Sequence, residues 1–421
     1  MNQEQLVKVI DFWQKVASED HLFPRKLAED MDVTSEEVID IVGPRRSGKS
    51  SVLQLLIQKL PKNKAWLYIN FEDPFFTEHN TPQIIEEIVE VYETYFHAPA
   101  RHLFFDEIQT ISRWETAVRK LRDSGRYKIY ITGSSSKLLS SELATVLSGR
   151  HRTHQLLPLS FVEYLTFTGR KIPNHTDVIT KNTELIRSFK KYLELGGFPQ
   201  IVLSKDLALL KQYFNDIIER DIVNRYDIRD REALKKMGVW LMTNAAKPVS
   251  VKALGELYDL SPTITSRYLS YFKEAFLVME IPQFSYSLKT QHKAMKKLYA
   301  IDTGLANAVS FRFSEDKGRM LEHAVLLELL RRGEEVFYYK EQLYEIDFVV
   351  KSAHGVIELI QVAWDIEDKE TKERELKALI LAAKKFNVAN ATLLTFDAEA
   401  MLARDGVKIR VLPVYRWVLK K

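Results

Sequence analysis

Three observations predict an α/β fold built on a parallel sheet with helices on both faces. Short β-branched or aromatic runs (VIDIVG, AWLYINFE, HLFFDE, KIYITGSS and HRTHQLLPL) alternate with helical patterns up to about residue 160. The first run ends in a glycine-bounded loop, GPRRSGKS. That loop opens directly into an amphipathic helix, so ligands are expected at the carboxyl ends of the strands, where the loop sits.

The loop, Gly43 to Ser50, reads GxxxxGK[ST]. Such a loop turns successive backbone N–H groups inward, and the helix that follows adds partial positive charge at the same point. Phosphate is the expected occupant. Gly43 and Gly48 let the backbone curl without side-chain clash, Lys49 reaches the β- and γ-phosphates, and the Ser50 hydroxyl ligates magnesium. ATP contacts are therefore expected from Gly43, Pro44, Arg45, Arg46, Ser47, Gly48, Lys49, Ser50 and Ser51. At the loop tip, Arg45 and Arg46 face either nucleotide or solvent.

Composition narrows the class. A chain of 421 residues is long enough for two to four domains. It has no cysteine, which excludes disulfides, thiolate zinc sites and cysteine nucleophiles and fits a reducing cytoplasm. The amino terminus lacks a cleavable signal pattern, and no apolar run is long enough for a membrane span. A soluble, cytoplasmic protein without membrane partners is expected. With a formal charge of only +4, any nucleic-acid surface must be a local patch.

A second signal is HLFFDEIQ, where a buried strand delivers two acids at its end. Asp106 is placed to hold magnesium, and Glu107 to act as the base that polarises an attacking water. KIYITGSSS is another apolar strand ending in hydroxyls, and Ser134 or Ser135 suits the sensing of a γ-phosphate. One of these serines also suits an N-cap for the helical stretch SKLLSSELATVL. Beyond that stretch comes SGRHR, in which Arg150, with Arg152 as the lesser candidate, fits an arginine that reaches a neighbouring subunit's γ-phosphate.

The ordered set GPRRSGKSS, NFEDP, FFDEIQ, ITGSSSKLLSSE, LSGRH and PLSFVEYL resembles AAA+ ATPases of the archaeal and bacterial type that fuse an ATPase, a winged helix and a nuclease-like C-terminal domain. The resemblance covers nearly the whole chain. It implies an ATPase core over 1–160, a helical lid over 161–226, a winged-helix domain over 227–310 and a restriction-endonuclease-like domain over 311–421. It also implies ATP and Mg2+ as cofactors and a homo-oligomer, a hexameric ring as in AAA+ proteins generally. Within the lid, GGFP (Gly196 to Pro199) is similar to a motif that packs on the adenine end of the nucleotide, which makes Pro199 an ATP contact. By chemistry alone GGFP is a helix-breaking turn.

In the third unit, two helical patterns flank a short turn, with Ser261 and Pro262 marking the start of the second. Ile264, Tyr268, Tyr271 and Phe272 form its expected inner stripe. Thr263, Thr265, Ser266, Arg267 and Ser270 are left outward, suited to phosphate and base-edge contacts. The segment MEIPQFSYSLKTQHKAMKKLYAID reads as two strands joined by a basic tip carrying Lys289, His292, Lys293, Lys296 and Lys297. The arrangement resembles a winged helix. DNA is the expected partner, with Thr263, Thr265, Arg267, Lys289, Lys293, Lys296 and Lys297 as contacts; a protein-contact module is the alternative.

From Met320 to about Asp397, a helix with Glu322 and Glu328, a strand pair containing YEIDFVV, a strand VIELIQVAW, a charged helix and a strand ATLLTF resemble the restriction-endonuclease-like fold. That resemblance implies a metal-binding aspartate at Asp347, then an acid and a lysine two residues apart on the next strand. The acid position falls on Gln361 and the lysine position on Ala363; a register that uses Glu358 puts Ile360 where the lysine belongs. A degenerate domain is expected, with Glu322, Asp347, Glu358 and Gln361 as vestiges. Taken together, the expectation is an enzyme that hydrolyses ATP to remodel or translocate DNA. An ATP-controlled signalling or defence switch and an ATP-gated nuclease are the alternatives.

Overall fold

The computed structural model describes residues 3–18, 22–34, 36–61, 65–96, 99–136, 149–180, 182–311, 316–353 and 355–420. The chain divides into two compact units, one formed by residues 1–156 with 274–276 and the other by 157–273 with 277–421. The expected lid and fourth unit fall within the second, as does the expected third unit apart from residues 274–276.

The first unit is the predicted parallel sheet. Its strands are β1 (Val38–Val42), β2 (Trp66–Asn70), β3 (His102–Asp106), β4 (Lys128–Gly133) and β5 (His151–Gln155), in the order β2-β3-β4-β1-β5. Every neighbouring pair runs parallel. β1 and β3 are buried at every position, Asp40 included, and so lack the apolar–polar alternation of half-exposed strands. Ile39, Ile41, Tyr68, Phe104 and Tyr130 pack against Val52, Leu53 and Leu56 of the helix Lys49–Lys59. Edge strand β2 is covered by the helix Gln3–Ala17: Gln14 donates to the Trp66 carbonyl at 2.9 Å and accepts from the Tyr68 N–H at 2.8 Å. A side chain thereby satisfies backbone groups that an exposed edge would leave open. Most of the helix expected after Ser135 lies outside the described residues.

The second unit carries two further sheets. The smaller has the order β6-β8-β7, all antiparallel, from β6 (Lys247–Val249), β7 (Val278–Ile281) and β8 (Lys296–Ala300). The helix Arg231–Thr243 packs against β8, and the helices Val251–Leu257 and Pro262–Glu274 lie between β6 and β7 in the chain. The basic segment expected to join two strands does join β7 and β8, but it holds a helix of its own. It first pairs with the larger sheet through a Gln283–Tyr338 bridge and then forms the helix Leu288–Lys293.

The larger sheet has the order β13-β14-β12-β11-β10-β9, from β9 (Glu335–Lys340), β10 (Glu345–Ser352), β11 (Gly355–Val362), β12 (Asn390–Thr395), β13 (Ala400–Arg404) and β14 (Val407–Pro413). Alternate residues face opposite layers: Phe348, Val350 and Ile360 join a core that includes the helix Lys317–Arg331, whereas Val349 and Leu359 pack towards the helix Lys369–Phe386. Among the described residues, no helix is long and apolar enough to cross a membrane.

Candidate functional site

β1 ends at Val42 and the chain turns at once. A Cβ on Gly43 would lie 2.2 Å from the Leu156 carbonyl oxygen, so only glycine fits there. Gly48 closes the loop with φ of 96°, a left-handed conformation that favours glycine, and the helix begins at Lys49. Between them, Arg25 donates to the Ser47 carbonyl at 2.6 Å and holds the loop from behind. The Ser47 hydroxyl is buried without a hydrogen-bond partner, a group that a phosphate oxygen would satisfy. At the tip, Arg46 is exposed with φ of 67°, and Arg45 pairs with Glu72 at 2.9 Å. Pro44 is buried, and Ser51 is half-buried on the first helical turn.

β3 and β4 bring the acids to this loop. Lys49 is 3% exposed; its Nζ donates to the carbonyls of Gly43 and Pro44, each at 3.3 Å, and lies 3.1 Å from Glu107 Oε1. Glu107 sits just past β3 with φ of 51°, a left-handed kink that separates its side-chain direction from that of Asp106. Its N–H donates to Thr132 Oγ1 at 2.9 Å, and Thr132 in turn donates to Asp106, so one hydroxyl on β4 positions both acids. Asp106 also accepts from Tyr68 at 2.9 Å and Asn70 at 3.1 Å, and it is hydrogen-bonded to Ser50.

The two acids are electrostatically split. Burial and then the charge of Glu107 push the Asp106 carboxyl up, against the hydrogen bonds of Ser50, Thr132 and Tyr68. Burial also acts upward on Glu107, but Lys49, the Gln109 amide and Arg45 outweigh it and hold its carboxyl below the usual range. These influences favour the ionised form of Glu107, the form a proton acceptor needs. Gln109 donates to Glu107 Oε2 at 2.6 Å and to Ser134 Oγ at 3.3 Å, linking the acid to the end of β4. Gln109, Thr132 and Arg25 carried no expected role; FFDEIQ contained Gln109, but nothing local marks which atom it serves.

Arg150 is exposed and lies at the opposite end of the sheet, where its carbonyl accepts from the Val38 N–H at 3.2 Å. Strand β1 therefore separates it from its own phosphate loop. Arg152 pairs with Glu37 at 3.0 Å.

In the second unit, Gly196 has φ of 76° and a Cβ there would meet Asp302 at 2.1 Å. Asp302, buried, accepts from the Gly197 N–H at 2.6 Å and the Leu305 N–H at 2.8 Å. GGFP is thus a clamped turn, with Pro199 in the first position of the helix Pro199–Ser204.

Several expectations for this unit are corrected. Thr265 is fully buried and donates to the Ser261 carbonyl at 3.0 Å, so it cannot face a groove; Ile264 is 39% exposed instead of internal. The helix starts at Pro262 as expected, but its buried face runs through Thr265, Tyr268 and Phe272, and Ile264, one position away, is turned outward. Thr263 and Arg267 are exposed, as are Lys289 and Lys293. Lys296 is half-buried and pairs with Glu280 at 2.7 Å. Lys297 is 2% exposed and cannot contact DNA: its ammonium lies among Glu345, Glu322 and Asp347 at 2.7, 3.2 and 3.6 Å. Glu322, Asp347 and Gln361 do converge, the Asp347 N–H donating to Gln361 Oε1 at 3.1 Å. Glu358 does not join them. It sits opposite Val350 and accepts from Thr392 at 2.8 Å.

The sheet order and the glycine loop facing two buried acids define the first unit as an AAA-type P-loop fold. A family model described as an AAA domain matches residues 35–165, and one described as a domain of unknown function, DUF8612, matches residues 186–316. The chain belongs to the same family as the uncharacterized protein MJ1544 of Methanocaldococcus jannaschii, with 38% identity over 399 residues that cover 90% of this chain and 87% of that one. An uncharacterized protein of Haemophilus influenzae is 30% identical over 395 residues, 90% of this chain and 94% of its own length. Among solved structures, the Aeropyrum pernix ORC1 protein in complex with DNA is similar at 11% identity over 73% of this chain and 90% of that one, with a TM-score of 0.32.

Proposed function

We propose that this protein hydrolyses ATP with magnesium and uses the nucleotide state to change how a homo-oligomer grips DNA. The observation that carries the reading is the convergence of Lys49, Ser50, Asp106 and Glu107 on one glycine-walled loop. The residues fit the ligand: the unpartnered Ser47 hydroxyl and the N–H groups of the loop suit phosphate, and the adjoining Ser50 and Asp106 suit a magnesium ion. When bound, magnesium neutralises charge on the phosphates. Lys49 then holds the phosphate end, Glu107 takes the proton of the attacking water, and Ser134 reads the γ-phosphate through Gln109. Arg150 acts on a neighbour's nucleotide, as in a hexameric ring. A cysteine-free chain suits a cytoplasmic location.

Residues 227–310 are assigned as a winged-helix domain that meets duplex DNA through Thr263, Arg267, Lys289 and Lys293. Residues 311–421 are assigned as a degenerate nuclease-like domain, and 161–226 as a lid that relays nucleotide state. The test is ATP turnover with and without duplex, single-stranded and branched DNA, for wild type, Lys49→Ala and Glu107→Gln. DNA-stimulated turnover that both variants lose supports the proposal. Turnover retained in Lys49→Ala removes the assigned site, and DNA that neither binds nor changes turnover removes the DNA role.

A second reading is an ATP-controlled switch that acts through protein partners. The burial of Lys297 and the pairing of Lys296 weaken the basic surface, while Tyr286 and Leu288 on the same connection are 76% and 69% exposed. Slow turnover indifferent to DNA is its signature.

A further inference from the structure

Lys297 is a buried cation countered by three carboxylates. It points from β8 into a pocket where Glu345 Oε1, Glu322 Oε1 and Asp347 Oδ1 stand 2.7, 3.2 and 3.6 Å from its Nζ. Tyr299, also from β8, donates to Glu322 Oε1 at 2.6 Å, and Lys340 pairs with the other oxygen of Glu345 at 3.1 Å. The second oxygen of Asp347 accepts the Val362 N–H at 2.9 Å. Gln361 is tied to Glu375 at 2.6 Å. Burying a lone ammonium is prohibitive, so this lysine is tolerable only because three carboxylates from two other elements, β10 and the helix Lys317–Arg331, surround it.

The nuclease resemblance implies a divalent metal here, and the residues present do not fit one. Gln361 and Ala363 stand where an acid and a lysine are needed. The carboxylates are spaced for N–H···O contacts, longer than the roughly 2.0–2.6 Å oxygen distances of magnesium or calcium. Among the described residues, no group of three or more His, Cys, Asp or Glu side chains is arranged to hold a metal ion.

We propose that Lys297 is the resident cation of this pocket: its ammonium takes the place of a metal ion and makes the acid cluster a fixed electrostatic joint between β8, β10 and the helix Lys317–Arg331. The joint excludes divalent metal while the lysine is in place. It deepens the assignment of a degenerate nuclease-like domain and does not depend on the nucleotide site, whose failure would show separately in ATP turnover.

The test uses the full chain without nucleotide. Terbium emission sensitised by Tyr299 and thermal melting with and without manganese are compared for wild type, Asp347→Asn, Lys297→Met and Lys297→Met with Asp347→Asn. Wild type should give no emission that Asp347→Asn removes, and manganese should leave its melting temperature unchanged. Lys297→Met should melt several degrees lower, gain terbium emission and recover stability with manganese, all lost on adding Asp347→Asn. Emission from wild type that depends on Asp347 overturns the proposal, as does a Lys297→Met variant as stable as wild type and indifferent to metal. If Lys297→Met does not fold, the wild-type arm decides alone: absence of Asp347-dependent emission upholds the joint, and its presence sinks it.

Discussion

Gln109 Nε2 lies 2.6 Å from Glu107 Oε2, opposite the Lys49 ammonium at 3.1 Å from Oε1. The carboxylate is gripped on both oxygens, and both grips lower its proton affinity against the upward push of burial. Removing Gln109 releases one of them. For Gln109→Ala the acid limb of the turnover profile should move to higher pH, with nucleotide affinity retained, whereas Glu107→Gln should lose about 10²–10⁴-fold in turnover at every pH. Steady-state turnover across pH, paired with a fluorescent-nucleotide titration, checks both; an unmoved acid limb in Gln109→Ala would show that this amide does not set the base.

Arg150 is paired to the start of β1, whereas the phosphate loop follows its end. The proposed role of Arg150 in hydrolysis is therefore a trans role. Arg150→Ala and Lys49→Ala should each be inactive alone, and mixing them should restore part of the wild-type turnover, because some interfaces then pair an intact loop with an intact arginine. Mixtures that stay inactive at all ratios would count against the arrangement.

Lys289 and Lys293 are exposed on the β7–β8 connection, whereas Lys297 is buried. Neutralising both exposed lysines should weaken DNA binding without changing sequence preference, and should reduce the salt dependence by about 0.9 per lost phosphate contact. Fluorescence anisotropy at several salt concentrations measures this slope. An unchanged slope would remove the connection from the DNA surface.

His323 is fully enclosed and donates through Nε2 to the Ala300 carbonyl, the last residue of β8. Burial pushes its imidazole down from 6.5 to about 4, with the hydrogen bond to Ala300 opposing the shift. The unfolded chain therefore binds a proton near pH 6.5 that the folded chain refuses until about pH 4. Its contribution is intact above the unfolded value and is lost as pH falls through that window, by roughly 3 kcal/mol at most. Chemical denaturation between pH 4 and 7 should show the second unit weakening on acidification, and His323→Gln should flatten that slope. A histidine variant with the wild-type slope would assign the acid sensitivity elsewhere.

Legibility followed the range of the interactions. The strands of the first unit were readable because buried parallel strands are near-continuous apolar runs, and the loop because its glycines and lysine are contiguous. Thr265 was misread because one residue of helical phase turns a side chain from solvent to core, and packing against the rest of the fold, which buries Thr265, Tyr268 and Phe272, decides that phase. Glu358 was misread because the antiparallel β10–β11 pairing sets Phe348 opposite Ile360 and Val350 opposite Glu358, which leaves Gln361 beside Asp347.

By itself the sequence determined the parallel sheet, the phosphate loop and the pair Asp106–Glu107, since each depends on neighbours a few positions away along one strand or turn. Only the tertiary structure decided what Lys297 does. In the chain it is one of several lysines near a turn; in the fold, Glu322, Glu345 and Asp347 arrive from two other elements and enclose it. Local sequence specifies which charges are present, but burial and convergence from distant segments specify whether a charge meets solvent, a ligand or another part of the same chain.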